Sequence, residues 1–121
     1  MRIIAIGAVL AVVMPLAGQA QEAGDAAAGE KAFAPCKACH NFQKNGVGPD
    51  LKGVVGRKAG TYEGYNYSAA LKNSGITWDE ANLHEWLKNP KTKVPGNKMI
   101  FQRIADEKKI NDLIAYLKTQ S

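Results

Sequence analysis

The clearest periodic signal lies near the C-terminus. Ile110, Leu113, Ile114 and Leu117 fall at i, i+3, i+4 and i+7, one face of a helix that Asp106 opens. A second stripe, Leu83, Trp86 and Leu87, follows Thr77-Trp78-Asp79-Glu80. That tetrapeptide reads as a capping box, with Thr77 at the cap and Glu80 three residues on. Asn89-Pro90 ends this helix. Toward the other end of the chain, Asp25 can cap a run from Ala26 to Ala34 of high helix propensity, which Pro35 then breaks. Phe33 is the one large apolar residue of that run, and Gly29, a turn earlier, offers a flat spot. This face is the natural mate for the C-terminal stripe. Ser68 to Asn73 reads as a short helix with Ser68 as cap and Gly75 as stop. No stretch carries a convincing strand pattern.

The connections are punctuated and polar. Asn45 to Asp50 is rich in turn formers, and Gly53, Gly56, Gly60 and Gly64 recur without a fixed period. Lys91 to Lys98 is a polar loop with Pro95-Gly96, and it leads into Met99-Ile100-Phe101. The first residues follow a different logic. Met1-Arg2 is a short positive start, Ile3 to Leu16 is apolar and uncharged, and Ala17-Gly18-Gln19-Ala20 ends in small residues. That is the order of a secretory signal. The apolar run is shorter than the roughly 20 residues of a membrane span. Cleavage after Ala20 is expected, leaving Gln21 to Ser121 as one domain; a retained membrane anchor is the alternative.

Composition adds two points. A chain of 121 residues with 12 glycines and 7% aromatic content has a small core, marginal on its own, which a buried apolar ligand would enlarge. A net charge of +5 makes an acidic partner plausible, although solvated lysines are the ordinary explanation.

The candidate chemistry sits at Cys36-Lys37-Ala38-Cys39-His40. Two cysteines at this spacing followed by histidine suit covalent attachment of a haem, each thiol adding to one vinyl group while the imidazole binds iron. A thioredoxin-like dithiol would belong near a βαβ pattern, which is missing. A zinc site would need further ligands, and only His84 remains. His84 lies beside an apolar stripe and reads as a boundary histidine. Met99 is the only methionine beyond the signal segment. It is either a core filler or, alongside a haem, the leading sixth ligand, a soft thioether that raises the potential. A carbonyl of the Gly48-Pro49 loop can fix the tautomer of His40. Leu51, Val54 and Val55 are candidate pocket wall. Arg57, the Tyr67 hydroxyl and the Trp78 indole N–H can serve buried propionates.

Taken together, these segments, with Gly56-Arg57-Lys58, Asn73-Ser74-Gly75-Ile76-Thr77-Trp78 and Leu113-Ile114-Ala115-Tyr116-Leu117, resemble class I cytochrome c. The likeness is to the mitochondrial protein and its bacterial periplasmic "c-two" relatives, and it runs from Gly24 to Lys118. It implies an all-α fold of four or five helices with long loops wrapped around one haem c, the first and last helices crossing near Gly29, Phe33 and Tyr116. It implies thioethers at Cys36 and Cys39, His40 and Met99 as iron ligands, and the Pro49 carbonyl orienting His40. Arg57, Tyr67 and Trp78 would hold propionates, and Lys37, Lys91 and Lys98 would ring the exposed haem edge. The implied function is one-electron transfer in the periplasm by a monomer, with a quinol–cytochrome c reductase as donor. The acceptor would be a terminal oxidase, a photosynthetic reaction centre or a periplasmic reductase. No enzymatic activity, small-molecule substrate or nucleic-acid partner is implied. This chain departs from the mitochondrial pattern in a loop before Gly48 shorter by three residues, and in Leu71, Trp86 and Asn97, where that pattern has asparagine, tyrosine and threonine.

Overall fold

The computed structural model describes residues 7–11, 24–101 and 103–121. The expected signal segment and its cleavage point lie outside the described residues except for 7–11, which form no helix and leave Val9 and Leu10 exposed. Among the described residues there are five α-helices: α1 (Ala26–Ala32), α2 (Ala69–Lys72), α3 (Glu80–Lys88), α4 (Pro90–Lys93) and α5 (Glu107–Lys118). Among the described residues there is no strand beyond one isolated antiparallel bridge, Lys58 to Thr77. The all-α expectation holds.

Helices α1 and α5 pack across each other, as their patterns required. Gly29 makes the approach possible: a Cβ there would lie 1.9 Å from the Asp112 carbonyl oxygen and 2.7 Å from Tyr116 Cβ. Only a residue without a side chain leaves room for the opposing backbone. One turn on, the Phe33 ring sits 5.5 Å from Tyr116 and 5.0 Å from Phe42, centroid to centroid. A polar clasp, which the apolar periodicity does not reveal, closes the other end. Buried Asp112 accepts the Asp25 N–H at 2.8 Å and the Lys108 ammonium at 2.8 Å. Asp25 in turn caps α1 through the N–H groups of Ala27 and Ala28. The apolar stripe of α5 is buried, Ile110 at 0% exposure, in one core with Leu83, Trp86 and Leu87 of α3.

Three local expectations are corrected. Thr77 is not the cap of α3. Its backbone pairs with Lys58, flanked by Ala59 N–H to Ile76 O at 2.7 Å and Trp78 N–H to Arg57 O at 2.8 Å. With Thr77 held there, Asp79 takes the cap, accepting the Asn82 N–H at 2.8 Å. Pro35 does not simply end α1. It occupies the first turn of a 3-10 segment, Ala34–Ala38, where its missing N–H has no cost. The stretch after Asn89 is not all loop, because the Asn89 side chain caps the single-turn helix α4. His84 is where a boundary histidine belongs, half-buried and paired with Glu107, which also binds Lys88 at 2.7 Å.

Two tests follow from the α1–α5 contact. Gly29→Ala overpacks it and should lower unfolding stability by about 1–3 kcal/mol, read by denaturant titration. Hydrogen bonds, first from Lys108 and then from the Asp25 N–H, hold the Asp112 carboxyl below the usual carboxylate range. A depressed folded-state pKa gives stability that is complete above the ordinary value of about 3.9 and lost as pH falls below it. Asp112→Asn should therefore flatten the acid limb of the stability–pH curve, and an unchanged acid limb would refute this role.

Candidate functional site

The 3-10 turn after α1 builds one wall of a cavity of about 290 Å³. Its hydrogen bonds, Cys36 N–H to Phe33 O at 2.8 Å and Cys39 N–H to Cys36 O at 3.1 Å, set the two cysteines one tight turn apart. Residues three apart eclipse in this geometry, so both half-buried thiols share a side and line the cavity. Burial, and then the neighbouring Cys39, push the Cys36 thiol above its ordinary range.

His40 follows directly. Its Nδ1 lies 2.8 Å from the Pro49 carbonyl, and a carbonyl can only accept, so Nδ1 carries the proton and Nε2 keeps its lone pair. Burial lowers the histidine's pKa, partly offset by that hydrogen bond, which favours the neutral, ligating form. The loop presses on the ring from the side as well. Gly48 N–H bonds to Cys39 O at 2.8 Å, and a Cβ at Gly48 would lie 2.4 Å from His40 Cε1.

Met99 lines the same cavity from the loop after α4. Apolar wall comes from Leu51, Val54, Leu71, Trp78, Trp86 and Leu117, among others. Val55, expected beside Val54, is not in the lining and packs against the core instead. A polar margin contains Arg57, Tyr67 and Ser68. Arg57 donates to the carbonyls of Asp50 at 2.9 Å and Lys52 at 3.2 Å, and its guanidinium lies over the Tyr62 ring; the fork has further N–H groups to give. The Tyr67 hydroxyl accepts the Tyr62 N–H at 3.1 Å, so its own proton is free to be donated. Burial raises its pKa, which keeps that proton in place. Buried Trp78 packs on Trp86 at 5.2 Å.

Of the three lysines expected at the margin, Lys98 lines the cavity mouth, with Nζ 3.4 Å from Asn66 O. Lys37 is exposed between the two cysteines, and Lys91 is exposed on α4 and not in the lining. The bracing roles of Asp50 and Asn45 escaped the sequence reading, which took them as turn formers. Asp50, 1% exposed, accepts the Tyr62 hydroxyl at 3.0 Å and the Lys52 N–H at 2.8 Å. Asn45 bridges the Asp50 N–H at 2.9 Å and Glu63 O at 3.1 Å. Both look like turn formers in sequence, and turn composition hides long-range bonding. Val47 and Ile100, 75% and 100% exposed, also line the cavity.

The donor set fits a covalently held haem. Two thiols, a neutral imidazole and a thioether line one cavity together with apolar side chains and a few polar ones. Gly48→Ala should push the imidazole from the Pro49 carbonyl. A severalfold fall in the yield of low-spin haem-loaded protein is the expected spectroscopic result.

The family model for cytochrome c matches residues 26–121. Cytochrome c-554 of Methylosinus trichosporium is 56% identical over 104 residues, covering 84% of this chain and 79% of that one. Cytochrome c2 of Blastochloris viridis is 51% identical over 111 residues, covering 89% and 84%. The solved structure of cytochrome cH from Methylobacterium extorquens superposes with a TM-score of 0.79 at 71% identity, covering 79% of this chain and 99% of that one. With the cysteine pair, the fixed imidazole and the helical fold in place, the chain belongs to the cytochrome c family, as a one-electron carrier with one covalently bound haem c and not an enzyme.

Proposed function

We propose that Cys36 and Cys39 would hold the haem through thioethers, that His40 and Met99 would ligate its iron, and that the chain works as a soluble periplasmic carrier. The observation that carries this reading is a single cavity lined by both thiols, by His40 locked onto Pro49 O at 2.8 Å, and by Met99. When bound, the haem supplies an iron that alternates between ferric and ferrous. The protein's part would be to hold the His40 imidazole and the Met99 thioether in place, so that little has to reorganise. Pro49 holds the imidazole in its ligating tautomer. Arg57, Tyr67 and Trp78, all in the cavity lining, would offer N–H and O–H donors to the propionates. Apolar walls exclude water, and a neutral thioether favours the reduced state.

Residues 1–20 are read as a cleaved secretory signal and 21–121 as the working monomer. Among the described residues, no helix is long and apolar enough to cross a membrane. The proposed donor is a quinol–cytochrome c reductase, and the acceptor a terminal oxidase, a photosynthetic reaction centre or a periplasmic reductase. Lys37, Lys91 and Lys98 would steer acidic partner surfaces toward the cavity mouth. Their exposure and the net charge of +5 support this.

An optical redox titration tests the ligand set. Met99→Ala should lose the methionine-ligated low-spin spectrum and lower the potential by on the order of 0.1 V; an unchanged spectrum refutes the assignment. Steering is tested by salt: reduction by an acidic partner should slow several-fold as ionic strength rises from low to physiological, when the screening length contracts to about 8 Å. A salt-independent rate would refute lysine steering.

A further inference from the structure

The side-chain amide of Asn97 spends its hydrogen-bonding capacity on the loop around Met99. Nδ2 donates to Pro90 O at 3.0 Å and to Val94 O at 2.8 Å, while Oδ1 accepts the Met99 N–H at 2.9 Å. Chemistry fixes this orientation, because the two carbonyls can only accept and the main-chain N–H can only donate. One planar group thus ties Met99 to the first residue of α4 and to the residue that caps its end. Gly96, at φ +87°, makes the reversal that brings Asn97 back over α4. Helix α4 is itself anchored, since Lys93 Nζ meets Asn82 Oδ1 at 2.8 Å and the Glu85 carboxylate, both on α3. Ile100 is fully exposed, and the next main-chain tie among the described residues is Ile104 N–H to Leu87 O at 3.0 Å.

We infer that Asn97 is the positioning residue of Met99: its amide holds the methionine loop closed over the cavity and sets how readily the thioether leaves the iron. The inference rests on Met99 being the sixth ligand. A threonine at this position, as in the mitochondrial pattern, has one hydroxyl proton and could serve only one of the two carbonyls. The amide therefore makes a tighter clasp than that pattern provides. Its consequence is functional, because a held thioether keeps small molecules off the metal and the site closed for electron transfer alone.

The test uses haem-loaded ferric protein with imidazole as probe. At saturating imidazole the binding rate is limited by departure of the resident ligand. Asn97→Ala should raise that limiting rate at least tenfold, about 1.4 kcal/mol, with the methionine-to-iron charge-transfer band still present at rest. Asn97→Asp keeps the acceptor and loses both donors, so it should also speed entry while preserving hydrogen-exchange protection at the Met99 amide. Near-isosteric, it carries the test if the alanine variant does not accumulate. Gly29→Ala, which weakens the remote α1–α5 contact, should leave the limiting rate within twofold of wild type. Rates within twofold of wild type in the Asn97 variants overturn the inference, as does equal acceleration by Gly29→Ala, which would make the effect one of general stability. Met99→Ala separates the two levels. If imidazole binds it no faster than wild type, the ligand reading fails and this inference falls with it. If Met99→Ala is fast while the Asn97 variants stay slow, only the inference fails.

Discussion

The thiol and imidazole side of the site hangs on the close crossing of α1 and α5. A Cβ at Gly29 would fall 1.9 Å from a main-chain oxygen of α5, so the contact is backbone against backbone. It fixes the end of α1, and with it the turn that carries Cys36, Cys39 and His40. The partner helix supplies Leu113 and Leu117 to the cavity wall. The thiols and part of the apolar lining are therefore placed by one junction. The Phe33–Tyr116–Phe42 cluster and the Asp112 clasp brace it on two sides.

His40 and Met99, the two candidate iron ligands, are held by different means. His40 is fixed in its tautomer by a single strong acceptor, Pro49 O, and laterally by the lack of a side chain at Gly48. Met99 rides on a loop whose order comes from the Asn97 amide and from a one-turn helix pinned to α3. A helix as short as α4 is not stable alone. Its persistence depends on the Asn89 cap, on Lys93 and on buried Pro90. The methionine side of the site is thus built from polar side-chain bonds, and the histidine side from main-chain geometry.

Much of this was legible in the residues. The helical stripes at Leu83–Leu87 and Ile110–Leu117, the caps Asp25, Ser68 and Asp106, and the mating of the Gly29–Phe33 face with the C-terminal stripe follow from period and capping chemistry, while the part of Tyr116 in that crossing came with the resemblance to class I cytochrome c. The cysteine–histidine motif is local, so its chemistry can be read without a fold. Other features were not legible, for a common reason. Asp50, Asn45, Asn97 and Asp112 act through bonds to residues far off in sequence or to main-chain groups. Asp50 and Asn45 look like ordinary turn residues, Asn97 like a simple departure from the mitochondrial pattern, and Asp112 like a solvated helix position. Thr77 carried a good capping-box signature, yet pairing with Lys58 overrode it.

The sequence alone therefore determined the class of chemistry and the apolar faces that must meet, because thiol spacing and helical periodicity are properties of neighbouring residues. Only the tertiary structure decided which polar groups brace the cavity and how the Met99 loop is closed. Those outcomes depend on distances between segments that sequence order leaves free, and a hydrogen bond exists only when its two partners are brought within about 3 Å of each other.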